Sequence, residues 1–208
     1  LNLPIIGINT GRLGFLATTK KENLEKSLTK ILKKKFSVEK RSLLKVFTEN
    51  NCIPMDSFPY ALNEISVVRK DTTSMINVKT SLDGTYVNSY WSDGLIVSTP
   101  TGSTGYSLSC GGPVISPTSN SLVLTPISPH NLNARPLVIS NSTKIEISVS
   151  GREDFHLLSI DAKIFTVKNE TKIYVEKSDF DIQVANINNY NFYKTLKDKL
   201  LWGKDKRN

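Results

Sequence analysis

The sequence predicts an α+β protein: the end of an N-terminal α/β domain, an all-β sandwich-like domain, and a C-terminal helix. Three observations predict it. Beyond Lys34 the chain is dominated by short extended segments at regular spacing, the pattern of a β domain built from two sheets. Before them, Ile5 to Asn9 reads as a strand, and Leu24, Leu28, Ile31 and Leu32 recur on one helical face, as at the end of an α/β unit. At the far end Phe192, Tyr193, Leu196, Leu200 and Leu201 line one face of a last helix, which Gly203 stops. The expected divisions are residues 1–20, 21–187 and 188–208.

The elements follow in order. The first strand ends in a Gly-rich turn at Gly11 and Gly14. Thr19-Lys20-Lys21-Glu22 has the form of a capping box, with Thr19 as N-cap and Glu22 three residues on. The helix it opens is expected to stop near Lys34. Leu44, Val46 and Thr48 alternate with Lys45 and Phe47, as in a half-buried strand. Residues 62–68 are extended and apolar-rich. Asp83-Gly84, between extended runs at 78–82 and 86–90, is a hairpin signal, because a two-residue turn there needs positive φ. Leu95 to Val97 is a short, wholly apolar strand. Further strands are expected at 121–125, 137–140, 144–149, 157–160, 164–167, 172–175 and 180–187. There is no internal repeat and no low-complexity linker.

Composition narrows the function. The net charge of +8 is confined to one segment: residues 12–45 hold 11 Lys or Arg against 3 Asp or Glu, while the rest of the chain holds 16 of each. The excess therefore reads as the solvated face of a lysine-rich helix, and no nucleic-acid partner is expected, although such a field raises the encounter rate with anionic nucleotides. No apolar run reaches the length of a bilayer span, so no membrane partner is expected either. The two cysteines, Cys52 and Cys110, lack metal-ligand spacing, and neither His130 nor His156 has a Cys or acid at such spacing, so no zinc site is expected. Two cysteines in 208 residues indicate a reducing compartment, and the expected location is cytoplasmic.

The chemistry gathers after the strand at Leu95. Asp93-Gly94 opens it, and it empties into Ser98-Thr99-Pro100-Thr101-Gly102-Ser103-Thr104-Gly105-Tyr106-Ser107-Leu108-Ser109. Glycines let a backbone approach a ligand closely, hydroxyls donate and accept, and Tyr106 adds a flat ring with a polar end. Such a loop suits a phosphorylated or ribosylated small molecule, though composition alone equally describes an ordinary surface loop. There is neither a P-loop nor a Gly-x-Gly-x-x-Gly fingerprint.

The order of these residues closely resembles the nucleotide-binding signature of NAD kinases. The resemblance continues through Gly111-Gly112-Pro113, Thr125-Pro126-Ile127-Ser128-Pro129-His130 and Arg135-Pro136-Leu137-Val138. Upstream it includes Gly7-Ile8-Asn9, Gly11-Arg12-Leu13-Gly14-Phe15-Leu16 and Asn63-Glu64, and downstream the tail from Leu196 to Gly203. It implies transfer of the terminal phosphoryl group of ATP, with Mg²⁺, to the 2′-hydroxyl of the adenosine ribose of NAD. It also implies a final helix that returns to the N-terminal domain and a homo-oligomer, dimer or tetramer. Carried over residue by residue, the resemblance puts Asn63 and Glu64 on NAD and Asp93 on the nicotinamide or its ribose. Thr101, Thr104, Gly105, Tyr106 and Ser109 fall on the adenine and ribose positions, with Ser107 and Leu108 in the same segment. Phe15 lines the adenine pocket, and Ser128 is a backbone contact near the nicotinamide.

Read without the resemblance, Glu64 is rather an exposed strand acid, Asp93 equally a turn residue, Phe15 more often a core residue and Arg135 a solvated surface cation. Two departures stand out: the family often has Ala at Gly105, and Asp161-Ala162-Lys163 replaces the usual Asp-Gly-Gln. The family's Gly-Gly-Asp-Gly motif, whose Asp is the presumed base, is not in the chain. Since the chain opens on Leu1-Asn2-Leu3-Pro4 without Met, that base is expected upstream of Leu1 and no catalytic residue is assigned here. Two alternatives stay open: a lipid kinase of the same superfamily and a non-catalytic NAD- or NADP-binding module.

Overall fold

The computed structural model describes residues 3–11, 15–17, 19–50, 53–54, 57–71, 74–187 and 191–201. They fall into two compact units, Leu1–Arg41 with Asp181–Asn208, and Ser42–Phe180. The strands are β1 (Ile8–Asn9), β2 (Thr19–Lys20), β3 (Ser37–Thr48), β4 (Tyr60–Ala61), β5 (Glu64–Arg69), β6 (Ile76–Leu82), β7 (Thr85–Ser92), β8 (Gly94–Ser98), β9 (Ser121–Ile127), β10 (Leu137–Ser140), β11 (Ile145–Ser150), β12 (Phe155–Ile160), β13 (Lys163–Lys168) and β14 (Ile173–Asn186). The α-helices are α1 (Leu24–Leu32), α2 (Tyr106–Ser109) and α3 (Phe192–Leu200).

Two six-stranded sheets form the expected β-sandwich, in the orders β10-β9-β8-β5-β12-β13 and β4-β3-β14-β11-β6-β7. Alternation explains the core. Along β11 every second residue, Ile145, Ile147 and Val149, is buried, because successive side chains on a strand point to opposite faces. These meet Val78, Ile173 and Val175 of their own sheet and Ile65, Val67, Leu95, Val97, Leu124 and Leu158 of the other. β8 is different: all five residues are buried, with β5 on one side and β9 on the other. This central strand delivers the Ser/Thr/Gly loop to its position. The Asp83-Gly84 hairpin is as expected, with φ of 49° and 80°.

In the other unit β1 and β2 pair in parallel, Ile8 with Thr19. Ile5 bridges Val184, its N–H donating to Gln183 O at 2.7 Å. Helix α3 starts where the Asn191 side chain accepts from the Lys194 N–H at 3.1 Å. Phe15 lies 6.1 Å, centroid to centroid, from Phe192, with Lys199 Nζ 4.8 Å from its ring centre. Gly203 and Gly14 lie outside the described residues.

Two local expectations are corrected. Thr19 is not an N-cap; it is buried in β2, a 3₁₀ turn (Lys21–Asn23) follows, and α1 begins at Leu24 with no side-chain cap. Pairing of the Thr19 backbone with β1 outweighs the local capping preference. The two strands expected at 172–175 and 180–187 are one strand, β14. The polar stretch Glu176-Lys177-Ser178-Asp179 breaks the hydrophobic pattern but not the strand, because β14 lies between β3 and β11 in the sheet. Sheet neighbours, not local pattern, decide such a segment.

Candidate functional site

The loop leaving β8 is built by its own hydroxyls. Thr99 N–H donates to Asn63 O at 2.9 Å, and its hydroxyl donates to Leu62 O at 2.6 Å while accepting from Gly102 N–H at 3.1 Å. The Ser103 hydroxyl donates to Pro100 O at 2.7 Å and accepts from Ile115 N–H at 2.9 Å. The Thr104 hydroxyl donates to Thr101 O at 3.2 Å, and Ser107 Oγ lies 2.8 Å from Thr125 Oγ1. Thr99, Ser103 and Ser107 are fully buried. Much of the hydroxyl content that suggests ligand binding in the sequence therefore fixes the loop. Two glycines complete it. A Cβ on Gly102 would collide with the backbone of Asn63, and one on Gly112 with Ser107 and Thr125. Helix α2 is a single turn of four residues, too short for a useful dipole, so the helix-start amides contribute less than the sequence implies.

Beside the loop, the start of β5 is held by Asp161, in the turn between β12 and β13. Its carboxylate accepts from Leu62 N–H at 2.8 Å, Asn63 N–H at 2.9 Å and Glu64 N–H at 3.0 Å, and its own N–H donates to Glu64 O at 3.0 Å. Asp161 adopts φ 47°, a left-handed conformation that Asp tolerates better than most residues. Glu64 is half-buried, and its Oε2 is closed to solvent with no hydrogen-bond partner. Burial first, and the Asp161 charge second, push its carboxyl up from 4.5 to about 7, against a lowering by the Tyr106 backbone N–H. A Cβ on Gly105 would stand 3.1 Å from that same Oε2, so the unpartnered oxygen faces the loop.

Tyr106 is 42% exposed, so its ring is a wall of the site and not part of the core. Partial burial, then the neighbouring Cys110, Asp93 and Glu64, raise its phenol above the ordinary value. Burial likewise raises the Cys110 thiol. Asp93 sits at the turn between β7 and β8, its backbone bonded to Arg69 and Ile127 and its carboxylate 3.2 Å from Arg69 Nε. The structure thus gathers Asn63, Glu64, Gly105, Tyr106 and Cys110, with Asp93 close enough to act on the Tyr106 hydroxyl. Acceptors, a flat ring and a buried, unpartnered carboxyl oxygen thus form one cradle, a set suited to a hydroxyl-bearing ring system.

The profile of the ATP-NAD kinase C-terminal domain matches residues 62–187, which include all of this cradle. The chain belongs to the NAD kinase family. It is 55% identical to the NAD kinase of Flavobacterium psychrophilum over 99% of the chain and 70% of that protein, and 57% identical to that of Christiangramia forsetii over 100% and 71%. Among solved structures it resembles yeast NADH kinase complexed with NADH, with TM-score 0.85, 26% identity, and coverage of 97% of this chain and 60% of that one. It also resembles an NAD kinase from Archaeoglobus fulgidus in complex with ATP, with TM-score 0.79, 34% identity, and coverage of 95% and 74%.

Set against the NAD kinase signature, the other expected residues divide. Thr101 is buried, Thr104 and Leu108 half-buried, and Ser109 exposed on α2. Ser107 faces Thr125 inside the fold. Ser128 is exposed at the end of β9 with φ 46°. Phe15 belongs to the other unit, against Phe192. Arg135 closes its own loop, donating to Leu132 O at 2.9 Å and Ala134 O at 2.8 Å. His156 is buried, its Nδ1 2.9 Å from Asn169 Oδ1, and burial lowers its pKa. Sequence reasoning missed Gly102, Gly112, Arg69 and above all Asp161. The signals for Asp161 were its place at the head of Asp161-Ala162-Lys163, where the family has Asp-Gly-Gln, and an Asp in a tight turn between two strands. The described residues contain no group of three His, Cys, Asp or Glu that would hold a cation, and both Asp161 oxygens are taken by N–H groups.

Proposed function

We propose that this chain binds NAD for phosphorylation at the 2′-hydroxyl of its adenosine ribose, with ATP as donor. The observation that carries the reading is the Glu64 carboxyl oxygen that is shut from solvent, lacks a donor and faces the Gly105-Tyr106 loop. A buried acceptor without a partner costs about 1–3 kcal/mol, and a turn of the Glu64 side chain away from Gly105 lets a ribose hydroxyl supply the missing donor. Asn63 adds an amide, Tyr106 a stacking surface for a base, and Asp93 an acceptor for a carboxamide or a second ribose. Phosphoryl transfer depends mostly on positioning and charge stabilisation, which is what such a cradle provides. No residue of this chain is assigned the hydroxyl proton. Mg²⁺ accompanying ATP and a homo-oligomer belong to the same reading and rest on the family resemblance, and a cytoplasmic setting rests on the sparse cysteines.

The test is NADP formation by the intact gene product from NAD, ATP and Mg²⁺, read with an NADP-specific dehydrogenase. Phosphorylation of a lipid in place of NAD would overturn the reading. Tight NAD binding without turnover would show a non-catalytic module.

A further inference from the structure

We propose that Asp161 is a positioning residue of the nucleotide site, its carboxylate clamping the backbone of Leu62, Asn63 and Glu64 so that the Glu64 side chain is aimed at the ligand loop. The inference deepens the NAD-binding reading and rests on it. One carboxylate serves three consecutive N–H groups at 2.8, 2.9 and 3.0 Å. Leu62 and Asn63 precede β5, so ladder pairing does not account for these bonds. The reciprocal bond from Asp161 N–H to Glu64 O at 3.0 Å fixes both partners. The opposite side of the same short segment is held from the loop, where Thr99 bonds Leu62 O and Asn63 O and Gly102 packs on Asn63. Asn63-Glu64 is thus gripped between the Asp161 turn and the loop that carries Tyr106.

The clamp also acts electrically. The groups around the Glu64 carboxyl are Asp161 from the β12–β13 turn, the Tyr106 phenol and Cys110 thiol from the α2 region, and Asp93 beyond Tyr106. Phenol and thiol are both raised and hence neutral near pH 7, which leaves Asp161 as the charge that opposes ionisation of Glu64. Ionised Glu64 is the better acceptor for ribose hydroxyls, so NAD affinity should rise with pH through about 7, and burial first and Asp161 second set where that rise falls.

The experiment is NAD titration of the intact gene product and of its Asp161→Asn variant across pH 5.5 to 9 (about the range that brackets Glu64). Asn keeps the shape but removes the charge and turns one acceptor into a donor. Expected are an affinity loss of about tenfold and a midpoint displaced by about one unit to lower pH. A variant that is merely less stable would melt earlier with its midpoint unmoved, and that result overturns the proposal. So does a variant identical to wild type. Amide hydrogen exchange on the wild-type protein covers the case in which Asp161→Asn does not fold: Leu62 and Asn63 must exchange as slowly as the β5 amides, and fast exchange refutes the clamp. Absence of NAD binding by the wild type, with Leu62 and Asn63 protected, would sink the functional reading and leave the clamp standing.

Discussion

Gly102 packs directly on the backbone of Asn63, so closely that a Cβ at Gly102 would stand 2.8 Å from the Asn63 Cα and overlap its carbonyl. The contact joins the loop after β8 to the start of β5, and it tolerates no side chain. Gly102→Ala should therefore destabilise the protein by about 1–3 kcal/mol, the usual range for overpacking, and weaken NAD binding by displacing Asn63. Gly105→Ala should be milder, since its Cβ would meet the flexible end of Glu64 at 3.1 Å and the Gly102 carbonyl oxygen at 3.2 Å, with no overlap like that at Gly102. Denaturant midpoints and NAD titrations of the two variants check the contrast. Equal damage from both would remove the argument.

Glu64→Gln should stabilise the unliganded protein at alkaline pH. The folded carboxyl titrates at about 7 against 4.5 unfolded. A group raised in this way contributes stability below pH 4.5 and loses it as pH rises through about 7, because between those values the folded state holds more protons than the unfolded one and rising pH favours the state that has already released them. With allowance for solvent screening of a half-exposed group, the gain at pH 8 should be about 1–2 kcal/mol and should vanish near pH 5. Melting of both proteins from pH 5 to 8 measures it. NAD affinity should fall in the same variant, so stability and binding move in opposite directions.

Tyr106→Ala should lower NAD affinity about tenfold to a hundredfold, the equivalent of roughly 1–3 kcal/mol of lost stacking. The ring is 42% exposed, so its removal should cost well below the roughly 3–5 kcal/mol of a core aromatic. Tyr106→Phe keeps the ring and should bind nearly as wild type. A large loss with Phe would assign the effect to the hydroxyl.

Asp93→Asn removes the ion pair with Arg69, whose partners are 26% and 28% exposed. A pair so placed contributes no more than about 1 kcal/mol, and the backbone bonds that fix the turn remain. The melting temperature should drop slightly while NAD affinity falls by more than the stability loss explains. A large drop in melting temperature with unchanged affinity would make Asp93 a turn acid only.

The order of elements was legible because hydrophobic alternation and turn chemistry are local. Leu44 to Thr48, the Asp83-Gly84 hairpin and the apolar β8 follow from their own residues. The family was legible because the loop after β8 carries its residues in order. The fate of the hydroxyls was not. Ser107 reads as a ligand group, and Thr99 and Ser103 belong to the same hydroxyl-rich loop, but the partners of all three lie at Leu62, Pro100, Ile115 and Thr125, some of them far away in sequence.

By itself, then, the sequence determined that a buried strand delivers a Gly-, Thr- and Tyr-bearing loop, and that Asn63-Glu64 belong with it. The tertiary structure alone decided what holds Glu64 and what state its carboxyl takes. Asp161 is 97 residues from Glu64 in sequence, yet its carboxylate lies 3.0 Å from the Glu64 nitrogen. Burial and that neighbouring charge set the titration of Glu64. Both are properties of the space around a group, which periodicity and spacing along a chain do not encode.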